Sequence, residues 1–380
     1  MIKSENSQKK YSPFFEFLIV FLFSSTIVIL LLLLGKNLVY GFSNITSLDS
    51  NFYIQMSIYP FQKFSDPYTY RILTPFLVHS LPLSHWTGFT VINSSGIIAT
   101  GVLMYYYLKK LEFDTLISIL GLVFFLFAPI TLYLFYNIAL VDSLSFLLFL
   151  LAFYAILIEN DKIYLITLIL GILNKETILF TLPVYFFFTL KNQGKTKAIK
   201  KAILMLAIAS IIFISMRYYY GFTSHYSVTG AFEMLKFHAN NHSMFLFASY
   251  FLTFSSLWLI ALLNLNEIKN DFLKLSLIAL PFIFLQILMA TDVYRVLAIT
   301  FPIIIPISLY AYKVKKAKLF LYFLLSILSL FAYLAWLSVG SYIYPLDIML
   351  FMGIPLQVLV PISLLVLISC SILRPKFNIS

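Results

Sequence analysis

Three cations occupy positions where a positive charge is unfavourable unless it is used. Arg71 in DPYTYRILTP and Arg295 in TDVYRVLAIT each follow a tyrosine and open a hydrophobic stretch, and Lys175 sits in the short polar break of GILNKETILF. Each falls in the first turn of a predicted helix. A cation there opposes the helix dipole by ~0.3–1 kcal/mol, yet together with free backbone N–H groups it makes an anion site. Local pairing is the plainer account: Asp66 precedes Arg71, Glu176 adjoins Lys175, and Asp292 precedes Arg295 by one helical turn. The same arrangement at three separate places favours a shared site for a phosphate-bearing ligand.

The acids supply the complementary chemistry. Asp49, in SLDSNFYIQMS, lies near the start of an amphipathic segment and could serve as general base towards a hydroxyl. With Thr46 three residues ahead it could equally be part of a capping box. Asp66 is the alternative base, Asp142 in NIALVDSLSF a second wall of the site, and Glu176 a further acid. Acids in or beside apolar spans are costly and are read first as functional. His225, His238 and His242 fall in one loop and are candidate acceptor contacts. His238 and His242 are one helical turn apart but lack the companion glutamate of a zinc motif, so neither a metal nor another cofactor is expected.

The elements that carry these residues must be membrane helices. The chain is 61% hydrophobic and 11% charged, with 40 phenylalanines, where a soluble globule carries roughly 25% charged residues. Runs such as 14–34, 86–108, 244–265 and 319–339 reach the ~20 apolar residues that cross a bilayer. The expectation is an all-α polytopic membrane protein forming a single integral-membrane domain over 1–380, with about twelve passes (ten to thirteen). They are placed at about 14–34, 86–108, 114–134, 141–158, 162–173, 177–190, 198–217, 244–266, 272–290, 296–312, 318–339 and 346–372. The first run is too long for a cleavable signal peptide. The lone Cys370 excludes an internal disulfide framework.

Charge sets the orientation. With the N-terminus inside, the lysine clusters at 109–110, 191–201 and 313–318 all face the cytoplasm, and the net charge of +11 resides there. Topology thus explains the basic excess, and nucleic acid is not an expected partner. In the segment 162–190 the first run, 163–173, is too short to span alone, so the segment is either a pair of short helices or one tilted pass of about 28 residues. As a pair of short helices meeting near the outer face, it preserves the charge alternation. Both termini are then cytoplasmic, and the polar residues above gather on the extracytoplasmic side. Two long outer loops remain: 35–84, with juxtamembrane helices from Thr46 and over 70–81, and 218–243.

This layout resembles the GT-C integral-membrane glycosyltransferases that use polyprenyl-phosphate sugars. The matching features are an acid soon after the first pass (Asp49, then Tyr53) and a large first outer loop. The segments YRILTPFL, VDSLSFLLFLLAFYAI, GILNKETILFTLPV and DVYRVLAITFPIIIP match as well. The resemblance implies an inverting transfer from a dolichyl- or other polyprenyl-phosphate sugar to a hydroxyl of a lipid-linked glycan or other acceptor. Asp49 would be the base, Arg71, Lys175 and Arg295 would hold the donor phosphate, and no metal would be needed. The first-loop acid stands alone, unlike the acidic pair of protein O-mannosyltransferases, which speaks against a protein acceptor. A soluble C-terminal outer domain like that of oligosaccharyltransferases is not expected. The competing readings are a transporter or lipid flippase, whose site would sit near the bilayer midplane, and a polymerase acting on lipid-linked substrates.

Overall fold

The computed structural model describes residues 12–39, 48–221, 236, 253–254, 257–287 and 293–314. Every regular element among them is helical. In chain order they are α1 (Pro13–Val39), α2 (Leu48–Ile58), α3 (Leu73–His79), α4 (His85–Lys110), α5 (Thr115–Leu126) and α6 (Pro129–Tyr136). Then come α7 (Asp142–Leu157), α8 (Asp161–Asn174), α9 (Thr181–Gln193) and α10 (Lys195–Tyr220). The last are α11 (Leu257–Leu263), α12 (Asp271–Ser276), α13 (Ala279–Ile287), α14 (Val293–Ala298) and α15 (Phe301–Val314). Short 3-10 turns at Tyr68–Tyr70 and Glu176–Phe180 lie close to two of the chemically interesting cations.

Among the described residues three helices are long and apolar enough to cross a membrane: Pro13–Leu33, His85–Lys110 and Lys195–Tyr220. The expected third pass is broken, because α5 and α6 meet at a bend of 51°. The cause is Pro129 at the first position of α6, which leaves Ala128 extended (φ −62°, ψ 140°). Proline has no N–H to continue α5, and its ring disfavours a helical residue before it. The expected tenth pass is likewise two pieces, α14 and α15, and the ninth is α12 and α13. The passes placed at 318–339 and 346–372, and about half of that at 244–266, lie outside the described residues.

The core sits where α4, α5, α7 and α15 meet, filled by the fully buried Phe125, Phe146, Phe149, Phe153 and Phe301. Phe125, Phe146 and Phe301 form one ring cluster with centroids 5.0 to 6.3 Å apart. Small residues let the helices approach: the place a Cβ would take on Gly96 of α4 lies 3.4 Å from the Ser143 backbone in α7. That contact fixes the start of α7, where Asp142 stands.

α7 and α8 pack along each other between two polar ends. At one end Lys201 pairs with Asp161, Lys191 pairs with Asp271, and Asn192 and Gln193 donate to Glu159 at 3.0 and 2.9 Å. These are among the residues expected on the cytoplasmic face. The opposite end carries Asp142 and the corner between α8 and α9.

That corner is tight. A Cβ on Gly171 would lie 2.5 Å from Ile178 Cγ1 and 2.8 Å from its Cβ. Gly171→Ala is therefore expected to push the Glu176–Phe180 turn outward and to destabilise the protein by about 1–3 kcal/mol. Thermal unfolding in detergent measures it; an unchanged midpoint would mean that the corner yields freely.

Candidate functional site

The site is assembled from five stretches held by neutral hydrogen bonds. Asn93 of α4 donates through Nδ2 to the carbonyls of Ile138 and, at 2.8 Å, Leu140, fixing the approach to α7. Asn174, the last residue of α8, donates to the Val141 carbonyl at 3.0 Å and to Ser145 Oγ at 2.8 Å. It accepts from Thr74 of α3 at 2.6 Å. Ser50 of α2 donates to Asn137. The first outer loop is thus tied to the ends of α7 and α8 before any charge is considered.

On this frame six ionised side chains come together. Asp142 accepts from Lys175 Nζ at 2.6 Å on one oxygen and from Arg295 Nη2 at 2.7 Å on the other. Arg295 donates through Nη1 to Asp49 Oδ2. The second oxygen of Asp49 accepts from the Tyr68 hydroxyl at 2.6 Å. Arg71 donates to both oxygens of Glu176, at 2.9 and 3.3 Å, and to the Tyr53 hydroxyl at 3.2 Å. Tyr53 meets Tyr68 edge to face at 5.6 Å, and Phe52 stacks on Tyr68 at 4.8 Å.

Burial is uneven in a way that matters. Side-chain exposure is 1% for Asp142, 5% for Lys175 and Arg295 and 8% for Arg71, against 16% for Asp49 and 21% for Glu176. The cations lie inside, and the accessible ends of the network are both carboxylates. Burial pushes the Asp49 carboxyl up, but the Arg295 guanidinium and the Tyr68 hydroxyl outweigh it and hold the group below the usual carboxylate range. Burial likewise raises Glu176, and the Arg71 fork overrides it, leaving the group at about 2. The Tyr53 phenol is pushed up to about 12 by burial, against the pull of Arg71. It therefore stays protonated.

Arg71, Lys175, Arg295, Asp49, Asp142 and Glu176 are thus in one network, but their partners are not the local ones. Arg71 pairs with Glu176 and not with Asp66, while Lys175 pairs with Asp142 and not with its neighbour Glu176. Asp66 stands apart, its buried Oδ1 without a hydrogen-bond partner among the described residues. Asp292, His225, His238 and His242 lie outside the described residues. The helix-start positions also need correction. Arg71 follows the Tyr68–Tyr70 turn and precedes α3, whose N-cap is Ile72. Lys175 is the extended residue between α8 and the next 3-10 turn.

Sequence reasoning missed Tyr68, Asn174 and Asn137. Only Asn174 carried a signal, as the polar neighbour of Lys175 in an apolar run.

Chemically, every cation is already matched by a carboxylate, and the six formal charges sum to zero. A phosphate and a carboxylate compete for the same guanidinium fork, so an anion enters only by displacing Asp49 or Glu176. No family model matches the chain, and comparison with curated proteins finds no match.

Proposed function

We propose that this chain is a membrane glycosyltransferase of the GT-C kind, with about twelve passes, cytoplasmic termini and an extracytoplasmic site. The observation that carries the reading is the convergence of Asp49 with Arg295, 246 residues away in sequence, in a network that also takes in Asp142 and Lys175. Such a set joins a general base to cations able to receive a leaving phosphate.

The steps follow from the groups present. A polyprenyl-phosphate sugar brings its phosphate to Arg71, Lys175 and Arg295, displacing Asp49 from Arg295. Freed from its cation, Asp49 becomes a stronger proton acceptor. It takes the proton of the acceptor hydroxyl, a lipid-linked glycan or similar alcohol, as the oxygen attacks the anomeric carbon from the face opposite the phosphate. The bond between that carbon and the phosphate oxygen breaks, and the phosphate leaves with its electron pair, its charge met by the three cations. Configuration at the sugar is inverted.

The test is transfer by the purified full-length chain in liposomes containing polyprenyl-phosphate sugars and glycan acceptors. Inverted glycoside product supports the reading. Movement of lipid or solute across the vesicle without any transfer would favour a transporter or flippase, to which the broken α5–α6 pair is congenial. Chain growth on a lipid-linked product would favour a polymerase.

A pH dependence follows. Carboxyls held below their unfolded values of about 3.9 and 4.3 stabilise the fold above those values. The stabilisation from Asp49 and Glu176 is lost as pH falls towards their folded values. The unfolding midpoint in detergent is therefore expected to be flat from neutral pH to about 5 and to drop below about 4. A midpoint that rises on acidification through this range would contradict the pairing.

A further inference from the structure

The cation Arg217 is placed differently from those of the network. It lies in the last turn of α10, a helix that is mostly exposed, with Ile203, Leu206, Ile211 and Ile214 exposed along it. Its guanidinium carbon sits 3.4 Å from the Phe213 ring centroid and 4.4 Å from that of Tyr70. Tyr70 is itself anchored by its hydroxyl to the Gly221 carbonyl at 2.7 Å. Lys63 reaches the same end of the helix: its Nζ is 2.9 Å from where a Cβ on Gly221 would lie. Among the described residues neither cation has a carboxylate within ion-pair distance. Tyr218 and Tyr219 are 83% and 68% exposed beside them.

Two ring faces hold the Arg217 guanidinium in place, and the N–H edge of a guanidinium matches two oxygens of a phosphate. From Ala202 to Met216 α10 is apolar, in a helix long and apolar enough to cross a membrane, and a long cationic side chain at the end of such a surface reaches the headgroup layer. A soluble anion would gain nothing from the apolar helix, whereas a lipid uses both features. We infer that Arg217 and Lys63 form a holding point for the phosphate of a membrane lipid at the end of α10 nearest the Asp49 network. Tyr70, which contacts Arg217, is the residue before Arg71, so the two places adjoin.

The inference concerns binding and does not depend on sugar transfer. The experiment uses the full chain in phosphatidylcholine nanodiscs doped with either polyprenyl monophosphate or phosphatidylglycerol, with retained lipid counted by native mass spectrometry. R217A/K63A is expected to lose about tenfold or more of the retained anionic lipid, the scale of lost charge-assisted hydrogen bonds. R217K should lose part of it, since an ammonium cannot reproduce the stacked fork. K162A, at the opposite polar end, should change nothing. Preference for one lipid over the other identifies the headgroup, and either supports the site. Equal retention by R217A/K63A at an unchanged unfolding midpoint overturns the inference. So does an equal loss in K162A, or displacement by inorganic phosphate as effective as by lipid.

Discussion

Asp49→Asn is expected to lower sugar transfer by about 10²–10⁴-fold, the usual contribution of a general base, while leaving the protein folded. The amide keeps an oxygen that can accept from Tyr68, and Arg295 retains Asp142. What disappears is the capacity to take a proton. The readout is kcat with a polyprenyl-phosphate sugar donor, beside retained donor binding and a near-normal unfolding midpoint. Asp66→Asn should be close to wild type, because among the described residues the ion pairs of Arg71, Lys175 and Arg295 are with Glu176, Asp142 and Asp49. Full activity in Asp49→Asn would sink the base assignment. Loss in Asp66→Asn alone would move it to that residue.

The second large effect is structural. Asp142 is 1% exposed and accepts from both Lys175 and Arg295. Removing one partner of a buried ion pair costs about 3–5 kcal/mol, because the remaining charge is left uncompensated. Asp142→Ala leaves Lys175 in that state, while Arg295 keeps Asp49, so the cost should fall in that range. Thermal and denaturant unfolding in detergent measure it. Asp142→Ala/Lys175→Ala should recover part of the loss, since one stranded charge is then gone. If the double variant is less stable than either single variant, the pair does not act as described.

The fold was legible where chemistry is local. Apolar runs marked α1, α4 and α10 to within one to five residues at each end, and the NKE break separated α8 from α9. The break at Pro129 was also written in the sequence, but hydropathy averages across a proline and reads one span. The site was legible by residue type and not by partner. Arg71, Lys175 and Arg295 announced themselves as cations in apolar surroundings. Which carboxylate each would meet depends on how α7, α8 and α14 pack, and neighbours in sequence gave the wrong answer for Arg71 and Lys175. Tyr68 was invisible for another reason: in a chain with 26 tyrosines, one hydroxyl gains meaning only from the carboxylate it touches.

The long sequence separations within the network bear on how the protein is made. Asp142 finds Lys175 only 33 residues later, so the emerging chain can neutralise its first buried acid almost at once. Arg295 follows Asp142 by 153 residues and Asp49 by 246. Through most of translation Asp49 therefore has Tyr68 but not its cation. The corner around Asp49 is closed by a late-arriving arginine, and a ribosome that stalls before it releases a chain with most of the helices described above and no finished network.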